Sequence, residues 1–415
     1  MISEDSGYST SGPEAEAAAA PDDGRDTLTG PLAGVRVLEM SAIGPTPFCA
    51  MLLADLGADV VRVDRRSLAG ERSGATSRVL AQAPERYVMH RGRRSVSIDL
   101  KHPAGRETVL RLTGQADALI EGFRPGVMER LGLGPRDCHD RNPRLVYGRM
   151  TGWGQDGPLS RTAGHDINYI ALAGALNNFA RAGQPPVPPV NLVGDMGGGG
   201  LFLAFGIVCA LLEARGSGRG QVVDAAMTDG AATLTVLLRS MLAQGRWRDQ
   251  PGTNFSDTGS PYYDVYAASD GKYVAVGAIE DPFWQELVGR LGIDEAELGD
   301  REDPANWPAI KERLARAFAQ RTRQEWEQVF AGSDACVSPV LSLTEAPSHP
   351  YHQARGTFVE RDGIVQPAAG PRFSRTPAHN SRRPPAPGEH TGEVLAAWGF
   401  PAGEISRLRA AGAIG

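Results

Sequence analysis

Between residues 35 and 150, short apolar runs alternate with helix-patterned stretches, and this alternation constrains the fold more than any other feature of the chain. Residues 35–40 read as a strand. A Gly/Pro-rich loop follows at 41–47, then a short helix to Leu56 and a second strand at 58–63 that ends at Asp64. Such a βαβ unit closes with a right-handed crossover. Residues 95–100, 117–122 and 145–150 add three more strand patterns, with a helical stretch at 104–114 between them. Strands that alternate with helices bury both faces of a parallel sheet, so an α/β, doubly wound domain is predicted.

The pattern changes at His165. Helices are expected at 165–179, 199–215 and 226–245. A β-hairpin is expected at 262–268 and 272–278, with Asp270 and Gly271 as its turn. Helices at 282–291, 307–320 and 323–332 follow, then a strand at 336–341 expected to return to the first sheet. Residues 376–388 read as an extended linker, and short helices at 391–399 and 402–411 close the chain. The predicted organisation is an acidic disordered tail (1–30), a large domain (31–249), a smaller α+β domain (250–335) and a return to the large domain (336–415). A chain of 415 residues is long enough for two or three such units.

Composition excludes several classes of function. The net charge is −6, with no basic stripe of the kind a nucleic-acid binder needs. The four cysteines are scattered without a Cys-x-x-Cys pair, and no histidine spacing suits a metal, which fits a reducing, cytoplasmic compartment. The start is acidic and Ala-rich, unlike a signal peptide. The longest apolar run, 201–212, is too short to span a bilayer and reads as a buried helix, so no membrane partner is expected.

A strand, a turn, a helix and a strand ending in an acid also suggest a dinucleotide site. The turn excludes it. Residues 41–47 (SAIGPTP) hold one glycine, and their prolines lack the amides that a pyrophosphate needs.

Three segments could carry chemistry. At 164–169 (GHDINY), His165 and Asp166 open an apolar helix, whose free amides and positive field suit a reaction centre; a simple helix cap is the alternative. At 194–200 (GDMGGGG), Asp195 borders four glycines that suit a closely approached backbone; a flexible turn is the alternative. Glu280 ends a hairpin strand and by itself reads as a surface acid. Arg65, Arg66, Arg91, Arg93, Arg94, Lys101, Arg124 and Arg130 fall near predicted strand ends, where α/β sheets bind ligands. They suit a phosphorylated ligand, although about half are expected to be solvated surface charges.

Several longer segments in order then match a known family: 31–39 (PLAGVRVLE), 53–62 (LADLGADVVR), 120–127 (IEGFRPGV), 150–157 (MTGWGQDG), 164–169, 218–226 (GRGQVVDAA), 261–264 (PYYD) and 276–280 (VGAIE). From about Pro31 to Pro377 the chain resembles the family III CoA-transferases, and within them the 2-methylacyl-CoA racemases. The resemblance implies a Rossmann-like large domain with a smaller α+β domain. It also implies an intertwined homodimer whose active site lies between the large domain of one chain and the small domain of the other. It makes His165 and Asp195 proton carriers, Glu280 the acid that hydrogen-bonds the histidine, and Asp166 a further active-site acid. CoA contacts would come from Arg65, from Ile98, Asp99, Leu100 and Lys101, from Gly122, Phe123 and Arg124, from Arg130, and from Gly164, Ile167, Asn168 and Tyr169. The tail before Leu28 and the helices after about Glu389 lie outside the closest racemase pattern.

On this reading the substrate is an acyl-CoA thioester, CoA being part of the substrate, and no metal or redox cofactor is required. Racemisation removes a proton from one face of the α-carbon and supplies one to the other, so two groups are wanted, each titrating near working pH. The enolate oxygen between these steps would be held by amides after Gly164 or by those of Gly197 to Gly200. Two other functions fit the same residues. A CoA-transferase would use Asp195 as a covalent nucleophile, and a non-catalytic CoA-binding protein would use neither acid nor base.

Overall fold

Strands covered on both faces by helices read as near-continuous apolar runs, and any charge among them needs a partner. Six such strands form the main sheet: β1 (Arg36–Met40), β2 (Asp59–Arg65), β3 (Arg93–Ile98), β4 (Ala118–Glu121), β5 (Val146–Thr151) and β6 (Val222–Ala226). Their order is β3-β2-β1-β4-β5-β6, with every neighbouring pair parallel. This computed structural model describes residues 28–66, 83–379 and 382–415. The tail expected at 1–30 therefore lies, up to residue 27, outside the described residues.

The strand order is that of the doubly wound nucleotide-binding folds, which reverse direction between β1 and β4. One face of the sheet is covered by the helices Pro45–Asp55 and Phe202–Ser217, through Cys49, Leu53, Leu203 and Ile207. The other is covered by Pro103–Thr113 and by the terminal helices Thr391–Ala397 and Ala402–Ala410. Those two helices and the turn between them contribute Val394, Leu395, Trp398, Ile405 and Leu408 to this core, so they are part of the domain rather than an appendage.

Charges interrupt the apolar pattern of β1 to β3, and each finds a partner. Arg93 and Glu39 are both fully buried, and Arg93 Nη1 donates to the two carboxylate oxygens at 2.9 and 2.8 Å. Its Nη2 donates to the carbonyls of Pro47 and Met89, so the same side chain grips the start of the helix Pro45–Asp55. Burial pushes the Glu39 carboxyl up, and the guanidinium of Arg93 pulls against that rise. Arg91 pairs with Asp55, and Arg94 with Asp59 and Glu393.

The glycine tract is helical, not a turn. Residues Leu192–Leu201 form a π-helical segment that runs directly into Phe202–Ser217. A Cβ on Gly198 would lie 2.6 Å from the amide nitrogen of Ala231, and one on Gly230 would lie 1.9 Å from the carbonyl of Gly198. The glycines therefore serve close approach between backbones of the protein itself. The combined helix Leu192–Ser217 is longer than the apolar run suggested. By length and composition it could cross a membrane, and only 39% of its most apolar window is buried. The expectation of a short, buried helix is corrected accordingly.

A separate core gathers residues between Tyr262 and Ala335. Strands β7 (Tyr263–Ala267) and β8 (Tyr273–Gly277) form the expected hairpin, with Gly271 at φ 73° in its turn. The strand expected at 336–341 is β9 (Val337–Pro339), but it pairs antiparallel with β8 and not with the main sheet. Two expected helices are also shorter. The first spans Asp166–Leu172 and stops before Gly174, at φ 79°; the other divides at Thr235 into Met227–Leu234 and Val236–Ala243. Strand β6, and a hairpin of β10 (Phe358–Arg361) and β11 (Ile364–Pro367), carry no clear alternation in sequence and were not anticipated.

Candidate active site

Where the winding reverses, the loops after β1 and β4 separate and leave a crevice at the strands' carboxyl ends. A cleft of about 300 Å³ lies there, lined by Ile43, Thr46, Gly122, Arg124, His165 and Tyr169, among others. Gly122 is required by packing, since a Cβ would lie 2.3 Å from the Thr46 hydroxyl oxygen. That hydroxyl is buried with no hydrogen-bond partner. Nothing in the sequence pattern singled out Thr46.

His165 is exposed and forms the N-cap of the helix Asp166–Leu172. Its backbone amide donates to Asn168 Oδ1 at 3.0 Å, and its carbonyl accepts from the amides of Asn168 and Tyr169. The backbone is thus capped without the imidazole, which lines the cleft. Tyr169 is buried, stacks edge-on against Trp153, and donates its hydroxyl to the Gly164 carbonyl, which fixes the turn before His165.

Asp166 is buried and accepts the backbone amide of Asp195 on Oδ2 at 2.7 Å. It therefore ties the helix carrying His165 to the π-helical segment carrying Asp195. Its other oxygen, Oδ1, is buried with no hydrogen-bond partner. Asp195 is half-buried, with Oδ2 3.4 Å from the position a Cβ would take on Gly44 in the loop after β1. Burial pushes its carboxyl above the usual range. The hydrogen bond from Asn191 opposes the rise, Asp166 adds to it, and a positive His165 opposes it. His165 and Asp195 thus act on each other electrostatically.

Asn191 was missed in the sequence, because its spacing to Asp195 matters only once the segment is known to be helical. Its Nδ2 donates to Asp195 Oδ2 at 3.2 Å and so favours the carboxylate. Asn191→Ala removes that donor, and the Asp195 pKa should rise further. Both the ascending limb, where Asp195 acts as a base, and the descending limb, where it acts as an acid, should move to higher pH. Rate–pH profiles for the two directions of reaction check this, and a shift to lower pH would contradict it.

Glu280 lies elsewhere in the chain. It is exposed at the N-cap of the helix Asp281–Leu291, on the core of residues 262–335. Among the described residues, no hydrogen bond or ion pair joins it to His165 within one chain. The glycine amides at 197–200 are taken up in the π-helical segment, and Gly198, Gly199 and Gly200 are buried. At the start of Asp166–Leu172, the amides of Asp166 and Ile167 precede the first intrahelical bonds and face no such competition.

The basic residues divide in three ways. Arg91, Arg93 and Arg94 are locked in internal ion pairs, so they are neither solvated nor available to a ligand. Arg66 donates to the Gly412 carbonyl. Arg65, Lys101, Arg124 and Arg130 are exposed. Arg124 joins the cleft to a second one of about 740 Å³, lined also by Arg130 and by Arg161, which the sequence reading did not single out. Ile98 is fully buried and bridges to Ile414, and the amide of Asp99 donates to the Ala413 carbonyl. Leu100 packs against the same core as Phe123, whose amide donates to Glu121. Ile167 and Asn168 are exposed beside His165.

The model of CoA-transferase family III matches residues 32–391. This chain belongs to that family. The family III member described here is 44% identical over 379 residues to the alpha-methylacyl-CoA racemase of Mus musculus, covering 91% of this chain and 96% of that protein. It is 43% identical over the same length to the alpha-methylacyl-CoA racemase of Homo sapiens, with the same coverage. A CAIB/BAIF family protein from Brucella suis superposes with a TM-score of 0.75 at 26% identity, covering 89% of this chain and all of that one. The resemblance seen in the segments is borne out at the level of family and fold.

Proposed function

We propose that this family III member is a 2-methylacyl-CoA racemase that moves the α-proton between His165 and Asp195. The observation that carries the reading is that His165 lines the switch-point cleft while Asp166, next to it, holds the Asp195 amide at 2.7 Å, and that burial raises the Asp195 carboxyl above its usual range while His165 acts on it electrostatically. Identity of 43–44% to two racemases over nearly the whole chain supports it.

The chemistry follows from that arrangement. One group, acting as base, takes the α-proton; the C–H electrons form a carbon–carbon double bond, and the carbonyl pair moves to oxygen. The other group, protonated, returns a proton to the opposite face. The amides of Asp166 and Ile167 are the better-suited donors for the enolate oxygen, since the glycine amides are occupied. Every step is a proton transfer, so neither a redox group nor a metal enters. The wider cleft around Arg124, Arg130 and Arg161 suits the phosphates of CoA, and binding there supplies energy remote from the reacting carbon.

Glu280 completes the site only from a second copy, where it would orient His165. Exposed apolar side chains suit that assembly: Phe205 (68% exposed) and Leu212 (72%) on the helix Phe202–Ser217, and Leu237 (64%) on the helix Val236–Ala243. A bilayer is a poor alternative for the helix Phe202–Ser217, because its Leu203 and Ile207 pack on β5 and β6 begins five residues after the helix ends. In sedimentation the protein should run as a dimer. Phe205→Glu with Leu237→Glu should give a monomer with strongly reduced racemisation, and a fully active monomer would refute the shared site.

The reaction itself is tested by incubating one enantiomer of a 2-methylacyl-CoA in D2O and following deuterium uptake and epimer formation by NMR. Exchange with inversion supports the racemase. Transfer of CoA to a free acid, without exchange, would instead make the protein a transferase.

A further inference from the structure

The segment that carries Glu280 is held by one side chain that the proposed mechanism does not use. Glu280 makes no side-chain hydrogen bond at its N-cap position. Its carbonyl accepts from the Trp284 amide at 3.0 Å, so the position of its carboxylate depends on the backbone around it. Arg301 reaches that backbone. Its Nη1 donates to the carbonyl of Ile279 at 2.9 Å and more weakly to that of Ala278 at 3.4 Å. Its Nη2 donates to the carboxylate of Asp281. The contacts fall on the two residues before Glu280 and the one after it.

Arg301 is itself well fixed. Its side chain is only 10% exposed, while those of its acidic partners Asp281 and Glu302 are 80% and 67% exposed. The guanidinium carbon sits 5.1 Å from the Tyr262 ring and 5.5 Å from the Trp284 ring. Those two rings meet edge to face and belong to the core of residues 262–335. The Arg301 carbonyl accepts from Trp307 Nε1 at 2.7 Å, which fixes its own backbone. A planar fork that grips two carbonyls and a carboxylate between two aromatic rings transmits the rigidity of the core to the tip of β8. Lysine could reach only part of it.

We propose that Arg301 is a positioning residue for Glu280: it sets where the carboxylate stands when it meets His165 of a second copy. The inference rests on the reading of Glu280 as the acid that orients His165.

The test uses the full-length protein and four variants: Glu280→Gln, Arg301→Gln, Arg301→Lys, and the double Glu280→Gln/Arg301→Gln. Steady-state racemisation and thermal melting are measured for each. Misplacing a catalytic group by about 1 Å can cost on the order of a hundredfold in rate, so Arg301→Gln should lower kcat by roughly ten- to a hundredfold. KM should change by less than about twofold, because CoA binds at the other end of the site. Arg301→Lys should recover part of kcat. In the Glu280→Gln background, Arg301→Gln should cost little more, since residues acting through one another are not additive. An unchanged kcat in Arg301→Gln overturns the proposal, as does an equal loss in both backgrounds. If Glu280→Gln alone keeps full activity, the role of Glu280 itself fails, and the inference fails with it. Should Arg301→Gln not fold, Arg301→Lys decides: a normal melt with reduced kcat at constant KM supports the proposal, and unchanged kcat overturns it.

Discussion

Asp195→Asn and His165→Ala should each lower racemisation by on the order of a thousandfold, the midpoint of what a positioned acid or base contributes. The two variants should fail differently. With Asn at 195, His165 still removes a proton from its own face of the α-carbon and returns a deuteron there. One enantiomer should therefore exchange with retention, while inversion stops. With Ala at 165, Asp195 should do the same for the other enantiomer. Deuterium uptake and optical purity, followed together for each enantiomer, separate these outcomes. A single-base site would leave both enantiomers exchanging in one variant and neither in the other. A transferase would lose CoA transfer in Asp195→Asn and be indifferent to His165→Ala.

The second large effect concerns the buried pair Glu39 and Arg93. Removing one partner leaves an uncompensated charge in the core, so Glu39→Ala or Arg93→Ala should destabilise the protein by about 3–5 kcal/mol. The double change Glu39→Leu with Arg93→Met should recover most of that, because two apolar groups of similar volume need no desolvation compensation. Urea unfolding of the three variants measures both effects. Activity should not follow stability in the double variant. Arg93 also holds the Pro47 carbonyl at the start of the helix that lines the cleft, and methionine cannot. Full activity in a stable double variant would show that this grip does not matter to the site.

How much of the molecule was legible differs from element to element. The strands β1 to β5 were readable because each carries a short apolar or β-branched run set off by turn residues or a helical pattern, which is a local property. The hairpin of β7 and β8 was readable because an Asp-Gly turn between alternating runs is local as well. His165, Asp166, Asp195 and Glu280 were located by their resemblance to a family, since a helix cap, a glycine-edge acid and a surface glutamate look alike in one sequence. Asn191, Thr46 and Arg301 carried no signal, because each matters only through a residue that folding brings beside it.

The amino-acid order by itself determined the alternation of strands and helices, the reversal-prone βαβ start and the absence of a dinucleotide turn, all of which depend on patterns within about twenty residues. Tertiary structure alone decided which charges were internal. Arg93 and Glu39 stand 54 residues apart and share no local pattern; strands β1 and β3 place them on one face of the sheet. It also decided that β9 joins β8 and that the glycine tract winds as a π-helical segment, because strand partners and backbone contacts are chosen by packing between distant segments. Local pattern carries no information about that choice.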